Sequence, residues 1–392
     1  MIMSKDSEFD FVVYGATGFT GKLVVEYLQE KYSDNNEISW AMAGRSLEKL
    51  NQVKLDLGVS SSVKTLEVNS NDQASIDNMM ESTKCVLTTV GPYQLYGNEI
   101  VKSCAETGTD YVDLCGEPGW MHGIISEHTD KAKETGARIV FSCGFDSIPF
   151  DLGVLFLQDE VKKQTGKTSS KVRARVRVME GEFSGGTAAS FGATMASLRS
   201  NPELLNILAN PFSLSEGFQG PEQENDSKPI FDEALGVWVA PFFMAPINTK
   251  NVHRSNMLLN HSYGEDFLYN EMWVSGPGEE GEQIANMMAT ANPMSGDDVP
   301  KPGEGPSRKS REAGSYDVLF YTDVEGKTIS TSVTGDMDPG YGSTSKMIAE
   351  SAICLVKDTA ELEGGIYTPA SSMGKKLIER LVNNAGLTFN VE

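Results

Sequence analysis

Glycines at 15, 18 and 21, in the run Gly15-Ala16-Thr17-Gly18-Phe19-Thr20-Gly21, are spaced to let a peptide chain wrap a phosphate. A glycine at 15 permits a sharp turn. One at 18 lets backbone N–H groups approach a pyrophosphate, and one at 21 lets a following helix pack close to the preceding strand. The spacing is Gly-x-x-Gly-x-x-Gly rather than Gly-x-Gly-x-x-Gly, so context decides its meaning. Before it stands the apolar run Phe11-Val12-Val13-Tyr14; after it, residues 22–32 carry Leu23, Tyr27 and Leu28 on one helical face. Strand, tight turn and helix follow one another, and the helix start offers unpaired N–H donors and the positive end of its dipole to an anion. All seven residues from 15 to 21 are candidate contacts of a dinucleotide.

The second chemically informative site is Gly44-Arg45-Ser46, after an apolar strand over residues 38–43. At this strand end a carboxylate selects the ribose 2′-OH of NAD, and an arginine accommodates the 2′-phosphate of NADP. No acid occurs before Glu48, so Arg45 reads as a guanidinium fork for phosphate, with Ser46 adding a hydroxyl or capping the next helix. The expected cofactor is NADP(H). Asn69 and Ser70 close a third strand, where adenine would lie. Val90, Gly91, Pro92 and Tyr93 close a fourth, beside the nicotinamide ribose.

Hydride chemistry needs a proton donor near the acceptor. Tyr93 and Asp146 are the side chains at suitable strand ends, Tyr93 projecting over the crevice as donor and Asp146 orienting or binding substrate; Asp146 can equally cap the turn Gly144-Phe145-Asp146-Ser147. Tyr27 and Lys31 form a Tyr-x-x-x-Lys pair, but on the helix behind the phosphate turn, away from the chemistry. His122, His128, His253 and His261 lack metal-ligand spacing, so no metal site is expected.

Stepping along the chain, strands and helices alternate through residues 85–90, 97–107, 111–114, 121–135 and 138–142, the signature of a doubly wound parallel sheet. A helix over 150–162 leads out. Residues 171–178 then alternate with period two, their arginines 173, 175 and 177 reading as a solvated sheet face. Further strands are expected at 256–259, 266–274, 316–323 and 327–335. The fold class is therefore α/β: a Rossmann sheet with a second α+β domain on a largely antiparallel sheet. The expected division is 1–149 for nucleotide, 150–340 for substrate or dimerisation, and 341–392 as C-terminal helices packing back on the first. Residues 276–314, rich in Gly, Pro and Ser and carrying Met287, Met288 and Met294, read as a lid or as disorder. The small-residue segment 181–190 precedes a helix and reads as a second anion-binding helix start or a flexible cap.

A net charge of −22 over 392 residues, with pI near 4.6, argues against nucleic acid or an anionic membrane surface as partner. Five cysteines without a C-x-x-C pair read as buried free thiols of a reducing, cytoplasmic compartment. The polar start before the first strand lacks a signal-peptide core. The longest apolar stretch, residues 236–247, is too short to span a bilayer. Lipid contact and a homodimer stay open.

Taken together, Gly15 to Gly21, Ala43-Gly44-Arg45-Ser46, Val90-Gly91-Pro92-Tyr93, Tyr111-Val112-Asp113-Leu114-Cys115-Gly116-Glu117, Cys143-Gly144-Phe145-Asp146-Ser147-Ile148-Pro149, Pro300-Lys301-Pro302-Gly303-Glu304-Gly305-Pro306 and Gly364-Gly365-Ile366-Tyr367-Thr368-Pro369-Ala370 resemble the saccharopine dehydrogenase-like oxidoreductase family, in its trans-acting enoyl reductase branch. The resemblance spans nearly the whole chain and implies a Rossmann domain, a mixed substrate domain and NADPH-dependent reduction. The expected activity is reduction of an enoyl or carbonyl group on an apolar, lipid-like small molecule, the greasy wall coming from residues 238–247 and the methionine-bearing loop. Two alternatives remain: a saccharopine-type imine reductase or dehydrogenase acting on an amino-acid/keto-acid adduct, and a non-catalytic NADP(H)-binding scaffold or sensor.

Overall fold

A computed structural model describes residues 7–33, 37–182, 184–201, 203–291, 300–301 and 303–392. The strand Phe9–Tyr14 is buried along its whole length, as a strand covered on both faces must be. Phe11 and Val13 enter one apolar core and Val12 and Tyr14 the other, following the two-residue alternation of a strand. It is central to a seven-stranded parallel sheet in the order Gly365–Tyr367, Arg138–Val140, Asp110–Val112, Thr83–Thr88, Phe9–Tyr14, Trp40–Gly44, Lys64–Glu67. Val12 lies opposite Ala41 on one side and Val86 on the other. The carboxyl ends of these strands therefore open along one edge, with Gly15, Gly44 and Thr89 in a row.

The outermost strand, Gly365–Tyr367, lies in a stretch the sequence reads as a turn before the last helix. It pairs Ile366 with Ile139, more than two hundred residues away, and three residues are too few to show a period. The helix Thr344–Asp358 covers the sheet, with Met347, Ile348, Ala352 and Ile353 buried. Its buried Glu350 accepts the Tyr27 hydroxyl at 2.7 Å and that of Tyr32, so Tyr27 is a packing residue away from the cleft.

The second sheet runs Leu387–Val391, Lys327–Gly335, Ser315–Val324, Lys171–Glu180, Leu268–Gly276, Val237–Pro241, Ile230–Asp232. Its pairs are antiparallel except Lys171–Glu180 with Leu268–Gly276. The C-terminal stretch thus supplies a strand to each sheet as well as helices. Residues 256–259 are not a strand: residues 256–258 end the helix Ala245–Leu258, whose every turn is enclosed by protein, so no amphipathic period marks it. Residues 276–314 are not structureless either, since they hold the helices Gly278–Thr290, packed on two strands of the second sheet, and Arg308–Ala313. Phe183, Met294 and Pro302 lie outside the described residues.

The three arginines do not share a solvated face. Arg175 is only 1% exposed, its Nε 2.7 Å from Asp232 and its Nη1 2.8 Å from the side chain of Asn270. Asp232 reaches it from the edge strand Ile230–Asp232 of the same sheet, a long-range contact that a period-two pattern does not report. Arg177 is half-buried between Asp317 and Glu392.

Candidate functional site

The glycine turn is shaped by contacts that leave no room for side chains. Gly15 has φ +93°, and a Cβ there would stand 2.7 Å from Val90 Cγ2. A Cβ on Gly21 would stand 2.1 Å from the Gly15 carbonyl oxygen, so the helix Phe19–Tyr32 rests directly on the turn. The turn is pinned by Gly15 N–H and Ala16 N–H donating to the Ala43 carbonyl at 3.0 and 3.2 Å. No side chain caps the helix at Gly18. Its first-turn amides face the cleft, the arrangement a pyrophosphate needs. Thr17, Gly18, Phe19 and Thr20 line the cleft with Gly15; Ala16 and Gly21 shape the turn from behind.

Arg45 is exposed at the mouth and has no carboxylate partner among the described residues, although the chain carries 55 acids. An unpaired guanidinium at the end of the second strand suits a 2′-phosphate. Ser46 accepts Lys49 N–H at 3.3 Å and caps the helix Leu47–Asp56 without lining the cleft. Asn69 and Ser70 line the cleft on the Arg45 side, with Asn71 beside them.

At the fourth strand end Val90, Gly91 and Pro92 line the cleft. Tyr93 differs from expectation. Its ring borders the cleft, but the residue is 5% exposed and its hydroxyl donates to the Thr88 carbonyl at 3.3 Å and accepts Leu114 N–H at 3.0 Å. Burial and the neighbouring Asp113 push the phenol far up, so its proton is committed to the backbone rather than to the crevice. Glu117 takes the Tyr93 and Gln94 amides at 2.9 and 3.0 Å and fixes this corner. Asp113 accepts Cys115 N–H, Ser142 N–H and the Tyr111 hydroxyl, tying two strand ends together, while burial lifts its pKa to about 7. Neither acid has a periodic signature; both sit in the motif Tyr111 to Glu117, which was legible only as a resemblance.

Asp146 caps nothing. The helix Ile148–Thr165 has no side-chain cap, and the Asp146 carboxylate makes no hydrogen bond among the described residues. Its neighbours are clamped instead: Phe145 N–H donates to Thr344 Oγ1 at 2.9 Å, Ser147 N–H to the Ser142 carbonyl at 3.0 Å, and Asn251 Nδ2 to Ser147 Oγ at 2.8 Å. A loop clamped in this way presents one half-buried carboxyl to the cleft, with Oδ2 3.3 Å from where a Gly116 Cβ would stand. Burial alone raises its pKa to about 7.

The cleft measures about 1180 Å³ and is continuous from the glycine turn past Val90 and Asp146 to a wall of Met179, Phe191, Phe243, Met244, Ile247 and Trp273. Among the described residues that line it, Arg45 is the only lysine or arginine. Trp238 packs on Phe231 away from it, and Met287 and Met288 are not among the described residues that line it, so those two methionines do not form the greasy surface expected. The helix Gly185–Ser200 lies across the opening, capped by Ser184 on Gly186 N–H. Tyr341, edge-on to Phe19, accepts Ser184 N–H at 2.6 Å and joins that helix to the phosphate turn. Among the described residues no group of three His, Cys, Asp or Glu side chains is placed to hold a metal, and no helix is long and apolar enough to cross a membrane. All five cysteines are buried, and none forms a disulfide.

Residues 11–140 match the saccharopine dehydrogenase NADP binding domain family, and the nucleotide of the glycine turn is NADP(H). Over 402 residues, 95% of each chain, the protein is 37% identical to a Mycobacterium tuberculosis (strain ATCC 25618 / H37Rv) protein provisionally named a trans-acting enoyl reductase. Over 409 residues, 96% of each chain, it is 35% identical to the trans-acting enoyl reductase of Mycobacterium bovis (strain BCG / Pasteur 1173P2). Its fold is similar to that of the apo saccharopine dehydrogenase (L-Glu forming) of Saccharomyces cerevisiae, with a TM-score of 0.54 covering 98% of this chain and 100% of that one at 12% identity. The chain therefore belongs to the saccharopine dehydrogenase-like oxidoreductases, in the branch of the trans-acting enoyl reductases.

Proposed function

We propose that this oxidoreductase reduces an enoyl or carbonyl group of an apolar, lipid-like substrate, with Asp146 as the proton donor. The observation that carries the reading is the composition of the cleft beyond Val90: an apolar wall, one unpartnered carboxyl and no lysine or arginine among the described lining residues. NADPH, when bound, supplies the hydride. Gly15 and Thr17 to Thr20 would hold its pyrophosphate, and Arg45 would select its 2′-phosphate. Phe243, Ile247 and Trp273 bury the substrate's chain and keep water from the reacting carbons. Asp146, neutral below pH 7, donates its proton to the carbon or oxygen that becomes basic as hydride arrives. Tyr93 and Glu117 act as positioning residues that hold the strand-end backbone.

An amino-acid/keto-acid adduct carries carboxylates and calls for cations at the substrate end, which the described residues do not provide; the enoyl reductase names of the relatives favour the same choice. The test is NADPH consumption followed by absorbance with trans-2-enoyl thioesters of increasing chain length, matched aliphatic ketones, and lysine with 2-oxoglutarate. Turnover is expected with the longer enoyl or ketone substrates and should be lost in Asp146→Asn. Turnover only with lysine and 2-oxoglutarate overturns the reading in favour of imine reduction; no turnover with any acceptor favours a scaffold.

A further inference from the structure

The charge inventory around Asp146 has a consequence for the cofactor as well as for the substrate. The carboxylate points into the cleft with no hydrogen-bond partner among the described residues, on a loop whose backbone is fixed on both sides of it. The segment after strand Asp110–Val112 presents Cys115, Gly116 and the carboxylate of Glu117 to this region. The turn Pro339–Ser343 presents the Tyr341 phenol, which is sensitive to the Asp146 charge. Strand Leu268–Gly276 contributes Glu271, fully buried, whose pKa burial chiefly raises to about 8, with Asp146 among the lesser causes. Lys250, on the helix Ala245–Leu258, donates to the carbonyls of Leu208 and Pro246. Lys250 thus spends its ammonium on backbone carbonyls, the other groups named are neutral or acidic, and Arg45 stands at the other end of the cleft. Among the described residues an ionised Asp146 has no counter-ion.

We infer that the oxidation state of the bound nucleotide sets the protonation of Asp146: the oxidised form, whose nicotinamide ring is positively charged, drives the proton off, and the reduced form leaves it on. The inference rests on the proposed placement of the reactive end of the nucleotide beside Asp146. A positive charge within a few ångströms lowers a carboxyl pKa by about 1–3 units, and the low polarity of the site keeps that attraction strong. In turnover the Asp146 O–H bond breaks and its proton goes to the substrate, while the hydride leaves the nucleotide positively charged; anion and cation form together and neutralise one another. Asp146 recovers a proton from solvent as the oxidised nucleotide leaves. Rising pH therefore strengthens retention of NADP+ without strengthening that of NADPH.

The experiment is calorimetric titration of the full chain with NADP+ and with NADPH, each in two buffers of different ionisation enthalpy, which counts protons released per nucleotide bound and needs no substrate. Both nucleotides carry the same 2′-phosphate, so its titration beside Arg45 cancels in the difference between them. The expected result near pH 7 is release of about half a proton more with NADP+ than with NADPH, with NADP+ affinity rising roughly tenfold from about pH 6 to about pH 8. Asp146→Asn should abolish the difference. Equal proton counts for the two nucleotides in the unaltered chain, or a difference that survives in Asp146→Asn, overturn the inference. If neither nucleotide binds, the cofactor reading falls and the inference with it. If the linkage holds but Asp146→Asn keeps turning over substrate, the linkage stands and the proton-donor role falls.

Discussion

Replacing Gly21 by alanine places a methyl carbon 2.1 Å from the carbonyl oxygen of Gly15 and within 3.0 Å of Ala16 Cα, both backbone atoms that cannot swing away. A close carbon–oxygen contact relaxes to about 3.3 Å, so the helix Phe19–Tyr32 has to retreat from the turn by roughly 1.2 Å. Overpacking of this kind costs about 1–3 kcal/mol of stability. The greater loss falls on binding, because the retreating helix carries the amides that meet the pyrophosphate. Weakening one charge-assisted hydrogen bond forfeits about 1.5–3 kcal/mol, and hence roughly 10–100-fold in NADPH affinity. Gly18→Ala is the contrast: its Cβ would meet only the Gly15 oxygen, at 3.3 Å, so it should leave the melting temperature nearly unchanged while crowding the phosphate. Fluorescence titration with NADPH and thermal unfolding, run on both variants, separate the two effects. A Gly21→Ala protein that melts with the parent and binds NADPH within about threefold of it would refute the argument that strand, turn and helix are in contact as described.

Arg45→Asp should weaken NADPH about 10–100-fold and leave NADH nearly untouched, since one charge-assisted fork is lost; equal losses for the two nucleotides in the same titration would remove Arg45 from the 2′-phosphate site. Arg175→Met leaves Asp232 buried with only the Tyr321 hydroxyl as side-chain partner, and should cost about 3–5 kcal/mol in urea unfolding, much of it regained when Asp232→Leu is added. A single variant as stable as the parent would contradict the buried pair. Asp146→Asn should also change the pH dependence of stability. The folded-state pKa of about 7 stands above the ordinary 3.8, so the folded chain holds a proton that the unfolded chain releases; stability falls as pH rises between those values and is level above 7. The urea midpoint of the variant should fall less over that range, keeping only the fall owed to the other raised carboxyls Asp113, Asp151 and Glu271, and a profile parallel to the parent's would mean Asp146 ionises freely.

Much of the nucleotide half was legible because its signals are local. Three glycines in register, an arginine where an acid would choose NAD, and apolar runs alternating with amphipathic ones each report on a handful of neighbouring residues, and neighbouring residues decide turns, caps and strand–helix order. The second half spoke less clearly. Helix Ala245–Leu258 is enclosed on every side and shows no stripe. Strand Gly365–Tyr367 is too short to show a period and exists because Arg138–Val140 offers it an edge. Arg175 sits in an alternating strand that reads as half-solvated, but Asp232 reaches it from the edge strand of the same sheet.

The candidate site divides along the same line. The sequence by itself determined which strand ends carry Tyr93 and Asp146, because the order of strands along the chain fixes where a parallel sheet opens. Only the tertiary structure decided which of the two is already hydrogen-bonded to the fold. Tyr93 spends its hydroxyl on Thr88, which ends one strand, and Leu114, two residues past the end of another, whereas the amides of Phe145 and Ser147 are bonded elsewhere and the Asp146 carboxyl has no hydrogen bond among the described residues. Hydrogen-bond satisfaction and desolvation depend on who else arrives at a point in space, and residues from widely separated stretches of the chain meet there.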